Sequence, residues 1–304
     1  MKQRILMFVL SLLPHDIAHK ILYRIYSGKK LNLNEPVTLN EKIQWLIVNE
    51  YGANEAILTD KYLVKEKIAN MKLPNLNIPK TLFVLKSTND LKNINFDSLP
   101  NKFVIKCNHG SGNVFVCSSK TDFDKKIKIL FKDLKKDFSK KTLEYHYKYI
   151  KPVILIEEFL ETKSGSLPED YKFFSYNGKT KCVMVCTDRE NGYKATFFDK
   201  NWNRLNYSTH EETKNMPRPQ NFEQMWDISE KLSLNHKFVR VDLYNINGKI
   251  YFGELTFTPA AGLSKTYTEQ ADIELGSYLD IGDNWWRRFV FLWIVHLLWA
   301  VSKE

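Results

Sequence analysis

The chain has 304 residues, of which 43% are hydrophobic and 13% aromatic. This content excludes an intrinsically disordered chain and allows one large domain or two to three packed lobes, since each would bury enough apolar surface to offset its ordering entropy. The formal charge of +10, from 45 Lys and Arg against 35 Asp and Glu, favours an anionic partner such as a nucleotide, an acidic glycan or a lipid surface. Nucleic acid is not expected, because the sequence has no helix-turn-helix, zinc or ribonucleoprotein motif.

The N-terminus reads MKQRILMFVLSLLPHD, in which basic residues precede a short apolar run. This order imitates a secretory signal peptide, but no small-x-small cleavage site follows it. The run ends at Pro14, before the basic and helix-like segment HDIAHKILYRIYSGKK. We therefore predict that the segment is retained, and that residues 1–55 form a helical region suited to contact with a membrane surface.

Residues 36–70 carry apolar residues at helical spacing, and Thr38 to Glu41 resembles a capping box, so this segment is predicted to be helical. Further along the chain the hydrophobic period changes to two, which is typical of strands. The predicted strands are KTLFVL, NKFVIKC, NVFVCS, PVILIEEFL, YKFFSYNG, KCVMVCTDR, YKATFFD, KFVRVDLYN and KIYFGELTF. Residues 120–141 and 222–233 are predicted to be helices, the first with a solvated lysine-rich face.

Asn-Gly pairs in SYNGKTK and YNINGKIY are typical of tight hairpin turns. They predict an α+β protein in which most strands are antiparallel. The four cysteines have apolar neighbours and form no C-x-x-C pair, so we interpret them as buried thiols in a reducing cytoplasm.

Residues 103–117, FVIKCNHGSGNVFVC, are predicted to form a strand, a glycine-containing loop and a second strand. Glycines allow backbone N–H groups to turn inward, and such concavities hold anions. Lys106 lies on the strand face opposite Phe103, Ile105 and Cys107, which places its ammonium group beside the loop. The pattern indicates phosphate binding without being a Walker loop or a dinucleotide fingerprint; an ordinary turn next to a lysine is the alternative.

The segment VILIEEFL, residues 153–160, is an apolar strand that ends in two acids and another apolar pair. Such a strand end is able to offer backbone groups to the edge of adenine and apolar walls to its faces. Taken alone, it would be an ordinary strand terminus.

Acidic residues occur on both strands of the predicted hairpin FVRVDLYNINGKIYFGELTFTPAAG. The period of two puts Arg240 and Asp242 on one face of the first strand, and Glu254 and Thr256 on one face of the second. Two carboxylates that converge across a hairpin repel unless a cation lies between them, and oxygen ligands at this spacing suit Mg²⁺. The alternative is a pair of exposed acids on a solvated strand face.

Near the C-terminus, two tryptophans and two arginines precede the apolar run FVFLWIVHLLWAV. A spanning helix requires about 20 apolar residues, so this run is too short to cross a bilayer unaided. We predict that residues 276–304 form an apolar helix that either lies at a membrane interface or packs on the domain.

Several motifs occur in the same order as in the ATP-grasp superfamily: Lys65 in TDKYLVKEKI, Lys106 before NHGSGN, then IEEFL, EDYKFF, and RVD with GELT. The segments LNEKIQWL, DKYLVKEKI, LPNKFVIKCNHGSGN, EDYKFFSYNGK and FVRVDLYNINGKIYFGELTF most resemble its TupA-like branch, named for teichuronopeptide biosynthesis. The resemblance implies an α+β ATP-grasp fold, in which two lobes of mainly antiparallel sheet, with helices, clasp ATP. It places this domain at residues 56–275, with lobes at about residues 80–155 and 156–275.

The resemblance also implies roles for individual residues. Lys65 and Lys106 would bind the phosphates of the nucleotide, and the loop of His109, Gly110, Ser111 and Gly112 would close over them. The adenine hinge would be formed by Glu157, Glu158, Phe159 and Leu160. Asp170 would contact the ribose, and Lys172 would also bind the nucleotide. Mg²⁺ would be coordinated by Asp242, Glu254 and Thr256. Arg240 and Lys106 would be catalytic, with Arg240 stabilising the negative charge that develops during attack.

The sequence departs from the family pattern at two places. The superfamily usually has Asn where Thr256 stands, although a threonine hydroxyl still supplies an oxygen ligand. The TupA-like branch commonly has a proline-glycine-glycine turn where this chain has TPAAG, and Ala260 and Ala261 touch the region expected to face the acceptor. Substrate identity is therefore the property that transfers least well.

The resemblance implies an ADP-forming carboxylate–amine ligase that uses ATP and Mg²⁺ and acts through an acyl phosphate. Together with the two basic and apolar ends, it predicts that the enzyme joins an amino acid to a sugar or uronic-acid unit of a glycan or lipid-linked glycan. The expected setting is surface polysaccharide or capsule synthesis at the cytoplasmic face of the cell membrane. The alternatives are a non-catalytic, membrane-associated nucleotide- or glycan-binding protein and a glycosyltransferase of the same pathway, although no clear D-x-D motif supports the latter.

Overall fold

The computed structural model describes residues 2–110, 112–162, 167–188 and 192–282. Within these ranges, helices pack on two separate β-sheets. The helices are α1 Lys2–Leu10, α2 His15–Ser27, α3 Leu39–Asn49, α4 Ala53–Thr59, α5 Leu63–Asn70, α6 Lys120–Asp133, α7 Phe138–Thr142, α8 Phe222–Leu232 and α9 Glu269–Ser277. The strands are β1 Leu76–Asn77, β2 Thr81–Leu85, β3 Phe103–Cys107, β4 Val114–Cys117, β5 Ile154–Glu158, β6 Asp170–Tyr176, β7 Lys179–Thr187, β8 Lys194–Phe198, β9 Arg204–Leu205, β10 Val239–Ile246 and β11 Lys249–Thr256.

The larger sheet has the order β1-β11-β10-β6-β7-β8-β9, and the smaller sheet has the order β2-β5-β3-β4. Every pairing is antiparallel except that of β1 with β11, so the predicted α+β class with mostly antiparallel strands is confirmed. The Asn177–Gly178 and Asn247–Gly248 turns have positive φ at both positions, the geometry of the predicted hairpins. The two-residue strands β1 and β9 were not predicted, because they are too short to show a period.

The predicted helical segment at residues 36–70 consists of three helices, α3, α4 and α5. The capping box is confirmed: Glu41 N–H donates to Thr38 Oγ1 at 3.2 Å, and the Glu41 carboxylate accepts from Thr38 N–H at 3.1 Å. The Asp60 carboxylate, just after α4, accepts the N–H groups of Tyr62 and Leu63 at 2.8 and 3.2 Å. These side-chain contacts divide the segment into short helices that turn around the sheets.

The prediction of one helix over residues 120–141 was wrong in its extent. The helix α6 ends at Asp133, and the Asp137 side chain caps the separate helix α7 by accepting Lys140 N–H at 3.4 Å. Phe123, Ile127 and Leu130 of α6 are buried against the small sheet, while its lysines lie on the outside. The apolar period continues through the break, which is why the sequence alone favoured one helix.

Helices and apolar side chains cover one face of the small sheet and parts of both faces of the large sheet. The alternating residues Phe103 and Ile105 of β3 pack against α6, so Lys106 lies on the opposite face of the small sheet. In the large sheet, Val239 and Val241 of β10 pack against α8, which leaves the intervening residues on the other face. All four cysteines are buried and form no disulfide, as predicted from their apolar neighbours.

The part of the predicted C-terminal helix that the structure describes is the end of α9 and the residues up to 282. The apolar run itself, within residues 283–304, lies outside the described residues. In the described ranges, no helix combines the length and the apolar content that crossing a bilayer would require.

Gly276 brings α9 into close contact with the start of α3. A Cβ atom at this position would lie 2.2 Å from the Val37 carbonyl oxygen and 2.7 Å from Leu39 N. Both atoms belong to the backbone, which is unable to move aside as a flexible side chain would. The close approach fixes the helical layer that covers one face of the large sheet.

We expect Gly276→Ala to destabilise the protein by about 1–3 kcal/mol through overpacking, although the same change in an open helix interior stabilises by about 1 kcal/mol. Chemical denaturation measures the free energy of unfolding. Ser277→Ala, at the exposed neighbouring position, is the control and should change it by about 0.5 kcal/mol or less. An equal or higher stability of Gly276→Ala would contradict the packing described here.

Candidate active site

Two lysines share one buried carboxylate on the open face of the small sheet. Lys106 of β3 and Glu157 of β5 lie on this face because the two strands pair in register. The Glu157 carboxylate is 2.7 Å from Lys106 Nζ and 2.6 Å from Lys65 Nζ of α5. Burial raises the pKa of Glu157, but the charges of Lys106 and Lys65 outweigh it and the net pKa is lowered. The cluster therefore contains two cations and one carboxylate, and its net charge is positive.

Lys65 is fixed from several sides. Its ammonium group also donates to the Pro79 carbonyl at 2.7 Å and to Thr81 Oγ1 at 3.0 Å. Burial lowers the pKa of Lys65, and Glu157 opposes this shift. The position of the charge is therefore set by β2 and β5 together, a suitable arrangement for recognising a phosphate group.

The large sheet carries a row of charged residues across three adjacent strands. Asp242 of β10 is paired in register with Lys172 of β6 on one side and with Glu254 of β11 on the other. Lys172 Nζ lies 2.6 Å from Asp242 Oδ2 and 2.5 Å from Asp170 Oδ2. Asp170 and Lys172, proposed from the sequence as nucleotide-binding residues, are thus brought directly beside the proposed metal ligands.

A bulge at Gly253 places Glu254 opposite Asp242. The register of β10 with β11 shifts between Asp242 and Leu243, so Gly253 is the extra residue. A Cβ atom at Gly253 would lie 2.8 Å from the Asp242 carbonyl oxygen. Bulges of this kind re-aim side chains next to functional sites, and only glycine allows the backbone to come this close.

Three oxygen-bearing side chains converge on one nitrogen of Arg240. The Nη2 atom lies 2.6 Å from Asp242 Oδ2, 3.1 Å from Thr256 Oγ1 and 3.4 Å from Glu254 Oε1. Arg240 Nε donates to Asp242 Oδ1 at 2.7 Å, and Thr256 Oγ1 donates to Glu254 Oε1 at 2.8 Å. The three predicted metal ligands therefore surround one cationic position.

These residues fit Mg²⁺ as a partial ligand set. In the described part of the chain, no group of three or more His, Cys, Asp or Glu side chains is placed to hold a metal ion, and this cluster offers two carboxylates and a hydroxyl. Mg²⁺ commonly uses one or two protein carboxylates and completes its coordination with water and substrate phosphates. The set fits that mode of binding, with Arg240 occupying the cationic position in the structure described here.

Lys61 connects the charged row of the large sheet to the glycine loop, and the sequence did not predict this role. Its Nζ is 3.5 Å from Glu254 Oε2 and donates to the Gly110 carbonyl at 2.9 Å. Burial raises the pKa of Glu254, but Lys61 and Arg240 outweigh burial and lower it well below the usual range. Lys61 lies in the link between α4 and α5, where no hydrophobic period identifies which lysine points inward.

The base of the glycine loop is held by Asn108. Its side-chain amide donates to Asp60 Oδ2 at 2.9 Å and to the Lys151 carbonyl at 3.0 Å, while its oxygen accepts Val153 N–H at 2.8 Å. Gly110 has a φ of 69° and packs so closely on Phe138 of α7 that a Cβ atom would lie 2.2 Å from the ring. Glycine is therefore required here by both conformation and space.

His109 is buried, stacks edge-on with Phe138 at 5.1 Å, and has a pKa lowered by burial. Gly112 follows with a φ of 134°, whereas Ser111 lies outside the described residues. The loop thus packs against α7, and His109 is oriented towards that helix.

The remaining residues of the predicted hinge lie at the end of β5 and just after it. Glu158 Oε1 accepts Lys80 N–H at 2.7 Å, and Phe159 lies under the ammonium group of Lys102, at 5.7 Å. Phe159 and Leu160 are half-buried. The structure therefore places Glu157 beside Lys65 and Lys106, the lysines predicted to bind phosphate, whereas the next three residues are only partly buried.

A cavity of about 400 Å³ lies between the glycine loop and β11. Its lining includes Lys61, Gly110, Arg240, Glu254, Thr256, Glu144, Thr258, Ala260 and Ala261. We call it the reaction cavity. A smaller cavity of about 170 Å³ shares Lys61, Gly110 and Glu254 with it and continues under His109 and Gly112.

Glu144 is a second residue of the site that the sequence did not predict. It is 7% exposed, accepts a hydrogen bond from the Thr258 hydroxyl and lines the reaction cavity. Burial raises its pKa to about 7. It is a single acid between a lysine-rich helix and an aromatic run, so the local sequence gives no signal of its role.

Ala260 and Ala261 line the reaction cavity with φ values of 50° and 53°. This left-handed conformation is natural for glycine and strained for alanine, at about 1–2 kcal/mol per residue. The turn thus keeps a glycine-like backbone while presenting two methyl-bearing residues.

A family model described as TupA-like ATPgrasp matches residues 41–280. No curated protein matches the chain. Among solved structures, the D-alanine–D-alanine ligase from Bacillus anthracis complexed with ATP is similar at 17% identity, with 75% of this chain and 65% of that chain covered and a TM-score of 0.45. The ATP-grasp ligase PsnB complexed with a minimal precursor shows 11% identity, coverage of 79% and 68%, and a TM-score of 0.40. The macrocyclase MdnC bound with precursor peptide MdnA from Microcystis aeruginosa shows 11% identity, coverage of 84% and 67%, and a TM-score of 0.39.

We expect Glu157→Gln to lower the free energy of unfolding by about 3 kcal/mol, because it leaves two partly buried ammonium groups without their carboxylate. Glu161→Gln is the matched control, since the Lys102–Glu161 pair is more exposed, at 46% and 34%, and its loss should cost about 0–1 kcal/mol. Urea denaturation distinguishes the two. Similar small losses in both variants would show that Glu157 does not balance the buried charges.

Glu144→Gln tests the buried carboxyl group. The pKa of Glu144 is about 7 in the folded protein, against 4.5 for the carboxyl group in the unfolded chain. As the pH rises, the unfolded state therefore releases this proton at a lower pH than the folded state does. The contribution to stability is therefore fully present below about pH 4.5 and is lost as pH rises through about 7, a change of about 3 kcal/mol. The variant should lack this component in urea denaturation between those pH values, whereas Glu161→Gln should retain it. A parent and a Glu144→Gln variant with the same pH dependence would contradict the assignment.

Proposed function

The chain belongs to the TupA-like ATP-grasp family, and from this premise we propose that it is an ATP-dependent, ADP-forming carboxylate–amine ligase. The family match confirms the resemblance seen in the sequence. The observation that carries the proposal is the pairing of a two-lysine cluster on one sheet with three oxygen ligands around a single cationic position on the other. A nucleotide triphosphate with Mg²⁺ presents the complementary charges.

In the proposed reaction, a carboxylate oxygen of one substrate attacks the γ-phosphorus of ATP and ADP leaves. An amine then attacks the carbonyl carbon of the resulting acyl phosphate, inorganic phosphate leaves and the nitrogen gives up a proton. Both steps move negative charge between oxygens and require little covalent help from the protein. Orientation and charge neutralisation are therefore the main contributions of this chain.

Lys65 and Lys106 would bind the phosphates, with Glu157 as their counter-charge before the nucleotide arrives. Asp242, Glu254 and Thr256 would hold Mg²⁺, which supplies charge neutralisation at the phosphate oxygens. Arg240 lines the reaction cavity with Lys61 and would stabilise the charge on the transferring group. The exchange of counter-ions keeps the buried charges balanced in both states.

Glu144 is the residue we assign to the proton released by the amine. Its carboxylate lines the reaction cavity, and its pKa of about 7 suits proton acceptance near neutral pH. It also hydrogen-bonds to Thr258, two residues after the last proposed metal ligand. The assignment places the base on the side of the cavity formed by the turn with Ala260 and Ala261.

We further propose that the ligase joins an amino acid to a sugar or uronic-acid unit of a glycan or lipid-linked glycan; with a uronic acid, the glycan supplies the carboxylate and the amino acid supplies the amine. This proposal rests on the family's association with teichuronopeptide synthesis and on the net charge of +10, which favours acidic partners. The corresponding setting is surface polysaccharide synthesis at the cytoplasmic face of the membrane.

A non-catalytic nucleotide-binding protein is the second candidate. This candidate is favoured by the strained residues Ala260 and Ala261, which stand at the cavity wall where the TupA-like branch commonly has two glycines. The change affects the region expected to face the acceptor and leaves the residues proposed to bind the nucleotide unchanged. Such a protein would bind ATP with Mg²⁺ and release no ADP with any acceptor.

We expect Asp242→Asn and Glu254→Gln each to lower ADP release by about 100-fold or more, because each removes a charge proposed to hold Mg²⁺ at the transferring phosphate. The assay supplies ATP, Mg²⁺, amino acids and a uronic-acid glycan, and follows ADP and phosphate. Glu269→Gln, at an exposed surface pair, is the control and should retain activity.

Circular dichroism establishes that each variant is folded. AMP in place of ADP would contradict the acyl-phosphate route. Nucleotide binding without ADP release in the parent, across a panel of acceptors, would favour the non-catalytic candidate.

A further inference from the structure

The first helix carries apolar side chains that the protein core does not use. Ile5, Phe8 and Val9 of α1, and Leu12 in the turn after it, are between 49% and 71% exposed. Their spacing of three, four and seven residues places them on one side of the helix. The core contacts of α1 are made by Met7 and Leu10 instead.

The second helix has the same property. Ala18, Leu22 and Tyr23 form its buried side, whereas Ile17, Ile21 and Ile25 recur every four residues and are 37–51% exposed. A helix that needed only to pack on the core would have polar residues at those positions. Two consecutive helices therefore present apolar stripes to the exterior, an arrangement that marks an interaction surface.

Cations border these stripes on both sides. Along α2, a groove is lined by Ile21 and Ile25 together with Lys20, Arg24 and Lys30. Beside α1, a second groove, of about 680 Å³, is lined by Met7 and Phe8 together with Lys136, Lys140 and Lys141. Three of these cations form ion pairs: Lys20 with Asp16, Lys136 with Asp133 and Lys140 with Asp137.

The cations outnumber these carboxylates, and the Lys140 contact is loose. Lys140 Nζ lies 3.8 Å from Asp137, with 67% of its side chain exposed. Lys141 Nζ lies 4.5 Å above the Phe138 ring. The border of the apolar stripes therefore has a positive charge that is available to an anionic partner.

We propose that this apolar–basic surface, formed by α1, α2 and the lysines of residues 136–141, docks on the anionic face of a lipid bilayer. Apolar side chains would enter the headgroup region while lysines and Arg24 contact lipid phosphates, as in interfacial amphipathic helices. A second copy of the chain fits less well, because its equally basic borders would repel the first.

The surface lies beside the reaction cavity. Thr142 and Ala261 line both the groove next to α1 and the reaction cavity. Phe138 of α7 contacts Gly110 of the glycine loop, and α7 also packs on α1. If the proposed ligase function holds, docking would bring an acceptor carried on the membrane to the opening of the cavity.

The test is co-sedimentation of the full chain with vesicles of phosphatidylcholine alone or of phosphatidylcholine with phosphatidylglycerol. We expect binding to the anionic vesicles only, weakened by added salt. Phe8→Ser/Leu12→Ser and Lys140→Glu/Lys141→Glu should each lower the partition coefficient about ten-fold or more. Leu234→Ser and Lys231→Glu, which change an exposed apolar residue and an exposed lysine elsewhere, are the matched controls and should bind like the parent.

Absence of vesicle binding by the parent would overturn the proposal, as would unchanged binding in both double variants, which would assign it to another part of the chain. Self-association of the parent that is lost in Phe8→Ser/Leu12→Ser, without vesicle binding, would assign the surface to a second copy. Thermal unfolding of each variant verifies its fold, and the charge variant leaves the apolar contacts of α1 unchanged. The assay contains no ATP or acceptor, so its outcome is independent of the ligase test.

Discussion

Charged side chains can be buried in this protein because carboxylates and cations alternate along one continuous series of contacts. This series runs from Asp170 through Lys172, Asp242, Arg240 and Glu254 to Lys61. Removing charges from water costs several kcal/mol per ion, and only close partners offset it. The second cluster, in which two lysines share Glu157, follows the same rule. A ligand that enters between the sheets must therefore replace one set of counter-charges with another, which is the property expected of a site for a nucleotide triphosphate and Mg²⁺.

The backbone places these charges through a few positions that tolerate no larger residue. Gly253 allows the bulge that aligns Glu254 with Asp242, and Gly110 allows the loop to pack on Phe138. Asn108 ties the base of the loop to both neighbouring segments. The same helix, α7, supports the loop on one side and α1 on the other, so the proposed membrane surface and the reaction cavity share a structural element.

Much of the fold follows from local patterns, whereas the site depends on contacts that local patterns do not encode. Strands, the Asn-Gly hairpins and the capping box at Thr38 were predictable because each is specified by neighbouring residues. The faces carrying Lys106 and Asp242 were predictable for the same reason. Lys61 and Glu144 were not, since they lie in aperiodic links and their roles arise only when the two sheets meet. The break before α7 was not predicted because the apolar spacing continues across it. The left-handed conformation of Ala260 and Ala261 was not predictable either, because alanine rarely adopts it.

A crystal structure of the protein with Mn²⁺, in place of Mg²⁺, and a non-hydrolysable ATP analogue would test most directly whether the two charged clusters bind nucleotide and metal. We expect an anomalous peak coordinated by Asp242 and Glu254, with phosphate oxygens within hydrogen-bonding distance of Lys65 and Lys106. We also expect Arg240 to have moved from the position that its Nη2 atom occupies between the three oxygens. A metal peak away from these carboxylates, or a nucleotide bound elsewhere while the Lys65–Glu157–Lys106 cluster stays intact, would contradict this expectation.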